Sequence, residues 1–115
     1  DTYGHLAGDL VLQIFARLLI RELPGINLIG RYGGEEFLAI LPGKSEQQAL
    51  ELANRIRAAC HKARVRGPDN QSIGFTVSIG VATLEPQEDA AALLQRVDKG
   101  LYRAKEAGRD LAVVA

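Results

Sequence analysis

The fold of this chain is indicated most clearly by residues 28–41, which read LIGRYGGEEFLAIL. Two apolar segments flank Gly33 and Gly34, a dipeptide typical of a tight turn. We therefore expect strands over residues 28–32 and 36–41, joined as an antiparallel hairpin. Residues 38–41 are apolar at every position, which is typical of a strand that is covered on both faces.

Helical patterns lie on both sides of this hairpin. Before it, Asp9 is a candidate N-cap for a helix with an apolar stripe that runs to about Glu22. After it, Ser45 and Gln48 have the spacing of a capping box, which predicts a helix that ends at about Ala63.

The C-terminal half combines a strand pattern with one more helix. Residues 64–72 are polar and predict a loop, and residues 73–84 alternate as in a strand that is bent or paired. Gly80 within that strand indicates a bulge or a close approach of backbone or ligand. Asp89 is the predicted cap of a helix that Gly108 terminates, and residues 111–114 predict a final strand. The order α-β-β-α-β-α-β predicts an α/β (α+β) sandwich with a mixed sheet.

Composition restricts the function classes. The 115 residues suit one domain, and the 14 basic and 14 acidic side chains leave no excess charge for a nucleic acid polymer. No apolar run approaches the roughly 20 residues that span a bilayer, so we expect no membrane contact by this domain. A single cysteine and the lack of a signal peptide pattern favour a cytoplasmic setting. Cys60 falls in a helical pattern, so we interpret it as a core residue rather than a nucleophile.

The turn carries the residues most suited to chemistry. Gly33 and Gly34 would let a bulky group such as a phosphate approach the backbone, and Glu35 and Glu36 follow them directly. Mg²⁺ prefers oxygen ligands and commonly binds one or two carboxylates together with substrate phosphates. A solvated hairpin tip with two surface acids explains the same pattern, so the residues alone leave both interpretations open.

Two further segments contain candidate residues. Lys105 and Arg109 are four positions apart near a helix end, where they could face one anion, or simply suit the helix dipole. Asp9 has a capping role as its simplest explanation, and His5 is interpreted as a structural histidine.

Four segments together resemble a known family, the GGDEF domain of diguanylate cyclases, here in its GGEEF form. They read DTYGHxxGD at 1–9, RYGGEEF at 31–37, TxSxGxA at 76–82 and DxxLYxAKxxGR at 98–109. Any one of them is a modest signal, but four in order from residue 1 to about residue 110 are highly specific. The resemblance implies a single GGDEF domain over residues 1–115, with a ferredoxin-like, nucleotidyl-cyclase-like sandwich and a mostly antiparallel sheet.

The resemblance also implies an activity. Members of the family join two GTP molecules into cyclic di-GMP and release two pyrophosphates, with Mg²⁺ (or Mn²⁺) and as homodimers. Gly33 and Gly34 would then accommodate the phosphates, and Glu36 would coordinate the metal. Glu35 would bind metal or activate the 3′-hydroxyl.

Three more residues match substrate contacts of the family. Asp9 would hydrogen-bond the guanine, while Lys105 and Arg109 would contact the terminal phosphates. An upstream sensor or receiver domain is expected in the parent protein of such a domain. Two alternatives are a module that senses GTP without turning it over and a purely structural dimerisation domain.

The sequence departs from the family at two places. The family's first, central strand, with a further metal-binding aspartate, would lie upstream of Asp1, so we expect a truncated domain that is inactive on its own. The inhibitory Arg-x-x-Asp that binds product in many members is replaced by Pro-Gly-Ile-Asn at 24–27. We therefore expect no inhibitory product site, because no guanidinium fork is available there.

Overall fold

The computed structural model describes residues 4–23, 25 and 28–115, with the side chains of residue 7 onward within those ranges. This part of the chain contains three helices and six short strands. They are α1 (Gly4–Glu22), β1 (Leu28–Gly33), β2 (Glu36–Ile40), α2 (Glu46–Lys62), β3 (Val65–Arg66), β4 (Ser72–Ile73), β5 (Ile79–Val81), α3 (Ala90–Glu106) and β6 (Ala112–Val114). Within these residues no helix combines the length and the apolar character that crossing a membrane requires.

The strands form three pairs. β1 and β2 pair antiparallel as the predicted hairpin, with a register shift between Arg31 and Gly33. β3 and β4 also pair antiparallel, whereas β5 and β6 pair in parallel and are connected through α3. The predicted α/β class with mixed strand pairing is therefore confirmed, although the strands of the described residues form separate two-stranded sheets.

Helix α1 begins six residues earlier than the sequence predicts, at Gly4 rather than at Leu10. Asp9 lies in its second turn and is exposed, so the prediction that Asp9 is the N-cap is wrong. The reason is tertiary packing: Ala7 is only 1% exposed and forms a buried cluster with Val65 and Ile73. This burial against β3 and β4 stabilises helical structure ahead of Asp9, where no local signal requires it.

The region between α2 and α3 also differs from the prediction. Residues 64–72 are not only a loop, because Val65 pairs with Ile73 and Arg66 with Ser72 in the short β3–β4 hairpin. The strand predicted over residues 73–84 is divided, since β4 ends at Ile73 and β5 begins at Ile79. Val65 and Ile73 are each 3% exposed, and their burial beside α1 explains why a polar segment closes into a hairpin.

Helices α2 and α3 have the predicted ends. The Gln48 amide donates to Ser45 Oγ at 3.1 Å and the Ser45 amide donates to Gln48 Oε1 at 2.9 Å, which completes the capping box. Asp89 Oδ1 accepts from the Ala92 amide at 2.8 Å at the start of α3. Gly108, with φ of 118°, follows the end of that helix.

A buried apolar cluster joins α1 to α2. It contains Leu18, Leu19, Leu23, Ile56 and Cys60. The Cys60 side chain is fully buried, and burial, followed by the charge of Asp110, raises the pKa of its thiol to about 11. The interpretation of Cys60 as a core residue is confirmed, because a thiol with this pKa is a poor nucleophile at neutral pH.

Glycines allow α3 to lie very close to the β5–β6 pair. A Cβ at Gly80 would come within 2.5 Å of the Val97 oxygen and of the Leu101 nitrogen, both in the backbone of α3. Gly100 faces this contact from the helix, where a Cβ would lie 3.5 Å from the Gly80 Cα. The close backbone approach predicted for Gly80 is therefore confirmed, and it sets the position of the C-terminal end of α3.

The far end of β2 is less covered than its apolar sequence predicts. Ile40 is 51% exposed, its cross-strand partner Leu28 is 62% exposed, and the neighbouring Ala39 is also exposed. The prediction of cover on both faces is wrong for the described residues. Helix α1 packs on the turn end of the hairpin instead, where the Phe15 and Phe37 rings meet edge to face at 5.2 Å.

Candidate functional site

The turn between β1 and β2 is held by its own backbone and by one side chain. Gly33 pairs with Glu36 across the hairpin, which leaves Gly34 and Glu35 as the turn residues. Arg31 Nε donates to the Gly34 carbonyl at 2.7 Å and so ties the preceding strand to the tip. The carboxylates that follow are therefore mounted on a defined turn rather than on a free loop.

Space lies open above the two glycines of the turn. A Cβ built on Gly33 or Gly34 would meet no heavy atom within 4 Å apart from their chain neighbours. Neither glycine has a φ in the left-handed region. Neither packing nor backbone conformation therefore demands glycine here, and the pair leaves the backbone accessible to a bulky polar group.

The two adjacent glutamates occupy different environments. Glu35 lies in the turn and is exposed, whereas Glu36 is the first residue of β2 and is half-buried. The next residue, Phe37, packs inward on Phe15. Because side chains alternate along a strand, Glu36 lies on the other face from this aromatic contact.

Helix α3 brings a cation to Glu36. Lys105 Nζ lies 3.5 Å from Glu36 Oε2, with the two side chains 31% and 38% exposed. An ion pair this accessible contributes at most about 1 kcal/mol to stability. The pair matters for function rather than for stability, because it places a carboxylate and an ammonium group from distant parts of the chain beside the open turn.

A groove of about 450 Å³ connects helix α1 to the hairpin. Its lining residues are Asp9, Leu12, Gln13, Ala16, Arg31 and Phe37. Three of these residues are apolar and three are polar, among them the exposed carboxylate of Asp9, which suits a flat ring with hydrogen-bond donors on its edge. The structure thus brings Asp9 to the same hairpin as the glutamates.

Arg109 follows α3 in an unusual backbone conformation. Gly108, Arg109 and Asp110 have φ values of 118°, 66° and 50°, and the Arg109 amide donates to the Ala104 carbonyl at 2.9 Å. The Arg109 side chain is exposed and, in the described part of the chain, forms no ion pair with the carboxylates of the turn. Of the two basic residues, Lys105 is therefore the one for which the structure shows an ion pair with the hairpin.

The carboxylates of the turn fit a divalent metal that is shared with a ligand. Among the residues that the structure describes, no group of three or more His, Cys, Asp or Glu side chains converges on one point. Glu36 and Glu35 offer oxygens beside open space, and Glu36 already attracts the Lys105 ammonium. Glu36 and Glu35 would hold a Mg²⁺ ion together with waters and phosphate oxygens, since this ion prefers oxygen ligands.

Two site residues have no role assigned by the sequence analysis. Arg31 holds the turn, and the signal for it is its position on strand β1, two residues before the glycine pair. Gln13 lines the groove one helical turn after Asp9, and the helical repeat of α1 places both on one face.

Some sequence predictions fall outside the described residues. These are the first three residues of the DTYGHxxGD segment, the side chain of His5, and Pro24, Ile26 and Asn27 of the predicted product window. A second groove of about 480 Å³ lies between the end of α1 and α2 and contains Arg21, Arg55 and Lys62. Glu22 pairs with Arg21 at 3.3 Å and with Arg55 at 3.4 Å.

Comparison with known sequences gives a consistent set of relatives. The profile of the family described as "Diguanylate cyclase, GGDEF domain" matches residues 1–111. The chain is 41% identical over 115 residues to the diguanylate cyclase DgcP of Pseudomonas aeruginosa and 44% identical over 115 residues to the diguanylate cyclase DgcM of Escherichia coli. The whole chain is covered in both cases, but it spans only 17% of DgcP and 27% of DgcM.

Comparison with solved structures agrees with the sequence relatives. The GGDEF domain of DgcB from Caulobacter crescentus, solved in complex with c-di-GMP, superposes with a TM-score of 0.93 at 30% sequence identity. The match covers 99% of this chain and 68% of that domain.

Proposed function

We propose, because the chain belongs to the family of diguanylate cyclase GGDEF domains, that it binds GTP and provides half of a site that makes cyclic di-GMP. In this reaction two GTP molecules are joined and two pyrophosphates leave. The observation that carries the proposal is the meeting of Glu36 and Lys105 at 3.5 Å beside the open glycine turn. One group suits a metal and the other suits a phosphate, so the pair matches the two components of a metal–nucleotide complex.

The residues divide the binding of GTP among three elements. Asp9 accepts hydrogen bonds from the guanine edge in the groove between α1 and the hairpin. Gly33 and Gly34 let the phosphates approach the turn, because no atom occupies the space above them. Lys105 and Arg109 donate to the terminal phosphates from the end of α3.

The carboxylates support the chemical step. Glu36 would hold the metal, and Glu35 would either join it or accept the proton of the attacking 3′-hydroxyl. A bound Mg²⁺ or Mn²⁺ would supply charge neutralisation on the phosphates and polarise the attacked α-phosphorus. Lys105 stabilises the negative charge that builds up on the leaving pyrophosphate.

The reaction requires two copies of the domain. Each turn holds one GTP, so each 3′-hydroxyl attacks the α-phosphate of the GTP that the partner copy holds. The chain spans 17% and 27% of two cyclases, so these relatives are longer proteins. We propose that the parent protein also has an upstream sensor or receiver domain, which brings two copies together in the cytoplasm. We expect that residues 1–115 on their own do not turn GTP over.

The test is a product assay on the natural-length protein. It is incubated with GTP and Mg²⁺ beside the variants Glu36→Gln and Glu51→Gln, and cyclic di-GMP is measured by chromatography. Glu51→Gln is the matched control, because Glu51 is an exposed acid on α2, outside the site. The proposal predicts product from the parent and the control and at least a hundredfold less from Glu36→Gln.

Each negative result has a distinct meaning. Tight GTP binding without product from any variant would favour the sensing module and overturn the cyclase. Failure to bind GTP with Mg²⁺ would favour a structural dimerisation domain. Equal product from Glu36→Gln and the parent would remove Glu36 from the metal site.

A further inference from the structure

The segment that carries Arg109 is held in a backbone conformation that residues other than glycine rarely adopt. Gly108, Arg109 and Asp110 all have φ values between 50° and 118°, and two of the three are not glycine. Non-glycine residues enter the left-handed region infrequently, and neighbouring contacts must hold them there. The contacts that hold this segment therefore control where Arg109 can reach.

Helices α3 and α2 both contact the segment of residues 108–110. On one side, the Arg109 amide donates to the Ala104 carbonyl of α3 at 2.9 Å. On the other side, Arg57 of α2 donates through Nη1 to the Asp110 carbonyl at 3.3 Å and to Asp110 Oδ1 at 3.4 Å. His61 Nε2 lies 3.6 Å from the second carboxylate oxygen of Asp110.

The Arg57 guanidinium is itself fixed on its own helix. Its Nε donates to Asn54 Oδ1 at 3.3 Å, one turn earlier in α2. Arg57 thus joins Asn54 on one side to Asp110 on the other, and its side chain is only 32% exposed. A lysine would keep the charge but would lose the Nε contact, because its ammonium is a single point donor.

We propose that Arg57 is a positioning residue, which fixes the backbone around Arg109 so that the Arg109 guanidinium meets the terminal phosphates of the nucleotide. This inference rests on the proposed function, and it adds a residue from α2 that lies outside every conspicuous motif. The competing explanation is that Arg57 only fastens α2 to the C-terminal strand. Both explanations predict some loss of stability, but only positioning couples Arg57 to Arg109 and to the terminal phosphates.

A double-mutant cycle on nucleotide binding separates the two explanations. The variants Arg57→Gln, Arg109→Gln and the double variant are made in the natural-length protein. Their affinity is measured by calorimetry with Mg²⁺ and a GTP analogue that has a methylene group between the α- and β-phosphorus, which prevents turnover. GMP serves as the ligand without terminal phosphates.

Positioning predicts a specific pattern. Arg109→Gln lowers the affinity for the analogue about tenfold, as expected for the loss of one charged hydrogen bond to phosphate. Arg57→Gln lowers this affinity about three- to fivefold, and the affinity of the double variant is no lower than that of Arg109→Gln alone. The affinity for GMP is the same in all three variants, and Arg57→Lys retains an intermediate affinity for the analogue.

Matched variants control for folding. Arg55→Gln removes the same charge two positions earlier on α2, where it pairs with Glu22, and it should leave the affinity for the analogue unchanged. If Arg57→Gln does not fold by circular dichroism, Asp110→Ala tests the side-chain part of the same contact, since it keeps the Asp110 carbonyl. Asp110→Asn should retain binding, since its amide oxygen still accepts from Arg57 and asparagine tolerates a positive φ.

Each outcome supports or overturns a defined statement. Positioning would be overturned if the losses of affinity for the analogue were additive in the double variant. It would also be overturned if Arg57→Gln lowered the affinity for GMP as much as that for the analogue. Either result would leave the proposed function intact. An unchanged affinity in Arg109→Gln would overturn the assigned phosphate contact, and positioning with it.

Discussion

The contact between Gly80 and helix α3 predicts a large and specific effect of the substitution Gly80→Ala. The new Cβ would lie 2.5 Å from the Val97 oxygen and 2.5 Å from the Leu101 nitrogen, whereas ordinary contacts begin at 3.4 Å. The helix must therefore move by about 1 Å, because both opposing atoms belong to its backbone and cannot rotate away. Overpacking of this kind costs roughly 1–3 kcal/mol, and we expect the upper half of that range.

Gly30→Ala is the matched control for this substitution. A Cβ at Gly30 of β1 meets no atom within 4 Å, so its packing cost should be close to zero. Both substitutions also restrict the unfolded chain, which stabilises each variant by roughly 0.4–1 kcal/mol where the native backbone accepts alanine. The difference in the free energy of unfolding between the two variants is therefore expected to be about 2 kcal/mol.

The assay is urea unfolding followed by circular dichroism. With a slope of roughly 1–3 kcal/mol/M, Gly80→Ala should unfold at a midpoint about 1 M below that of Gly30→Ala, with the same slope. A shift of α3 would also separate Lys105 from Glu36, which lie 3.5 Å apart, and so weaken binding of the GTP analogue. Equal midpoints for the two alanine variants would refute the close approach of α3 to β5.

Three further outcomes are expected. Arg96 donates twice to Glu88, at 2.7 Å, and lowers the pKa of that carboxyl to about 2. The ionised Glu88 therefore stabilises the folded chain fully above about pH 4.5, and this stabilisation is lost as the pH falls towards 2. Urea unfolding should show that Glu88→Gln lowers the free energy of unfolding less at about pH 3 than at about pH 7. Because the pKa of Cys60 is raised to about 11, iodoacetamide at about pH 8 should alkylate this thiol only after unfolding, and rapid labelling of the folded chain would contradict its burial. Cyclic di-GMP should leave hydrogen exchange unchanged over residues 19–25, and protection there would reveal a product site that the sequence does not predict.

Helices α2 and α3 were predictable because their start signals are local. Ser45 and Gln48 satisfy each other's backbone amides, and Asp89 caps the amide of Ala92, in each case across three positions of the chain. The hairpin around Gly33 was predictable for the same reason. Its glutamates, and the motif that contains Lys105, also identified the family.

The site could be predicted as a set of residues but not as an arrangement. Glu36, Lys105 and Asp9 are predicted from the sequence, and the structure places Lys105 and Asp9 beside the hairpin that carries Glu36. Arg57 is not predicted, because an arginine in a helix has no local pattern that marks its partner. That partner, Asp110, is 53 positions away.

The amino-acid sequence was sufficient for the family, which four motifs spread over residues 1–109 identify. It was also sufficient for the turn and the two capped helices, since each of these depends on residues only a few positions apart. The tertiary structure was needed for the start of α1 at Gly4, for the β3–β4 hairpin and for the contacts of Lys105 and Arg57. In the first two cases, burial of Ala7 against Val65 and Ile73 outweighs weak local preferences. The contacts of Lys105 and Arg57 depend on how α3 packs on Gly80 and how α2 packs on the core. No local pattern in the sequence predicts these distances, because the free energy of burial depends on which residues are neighbours in space.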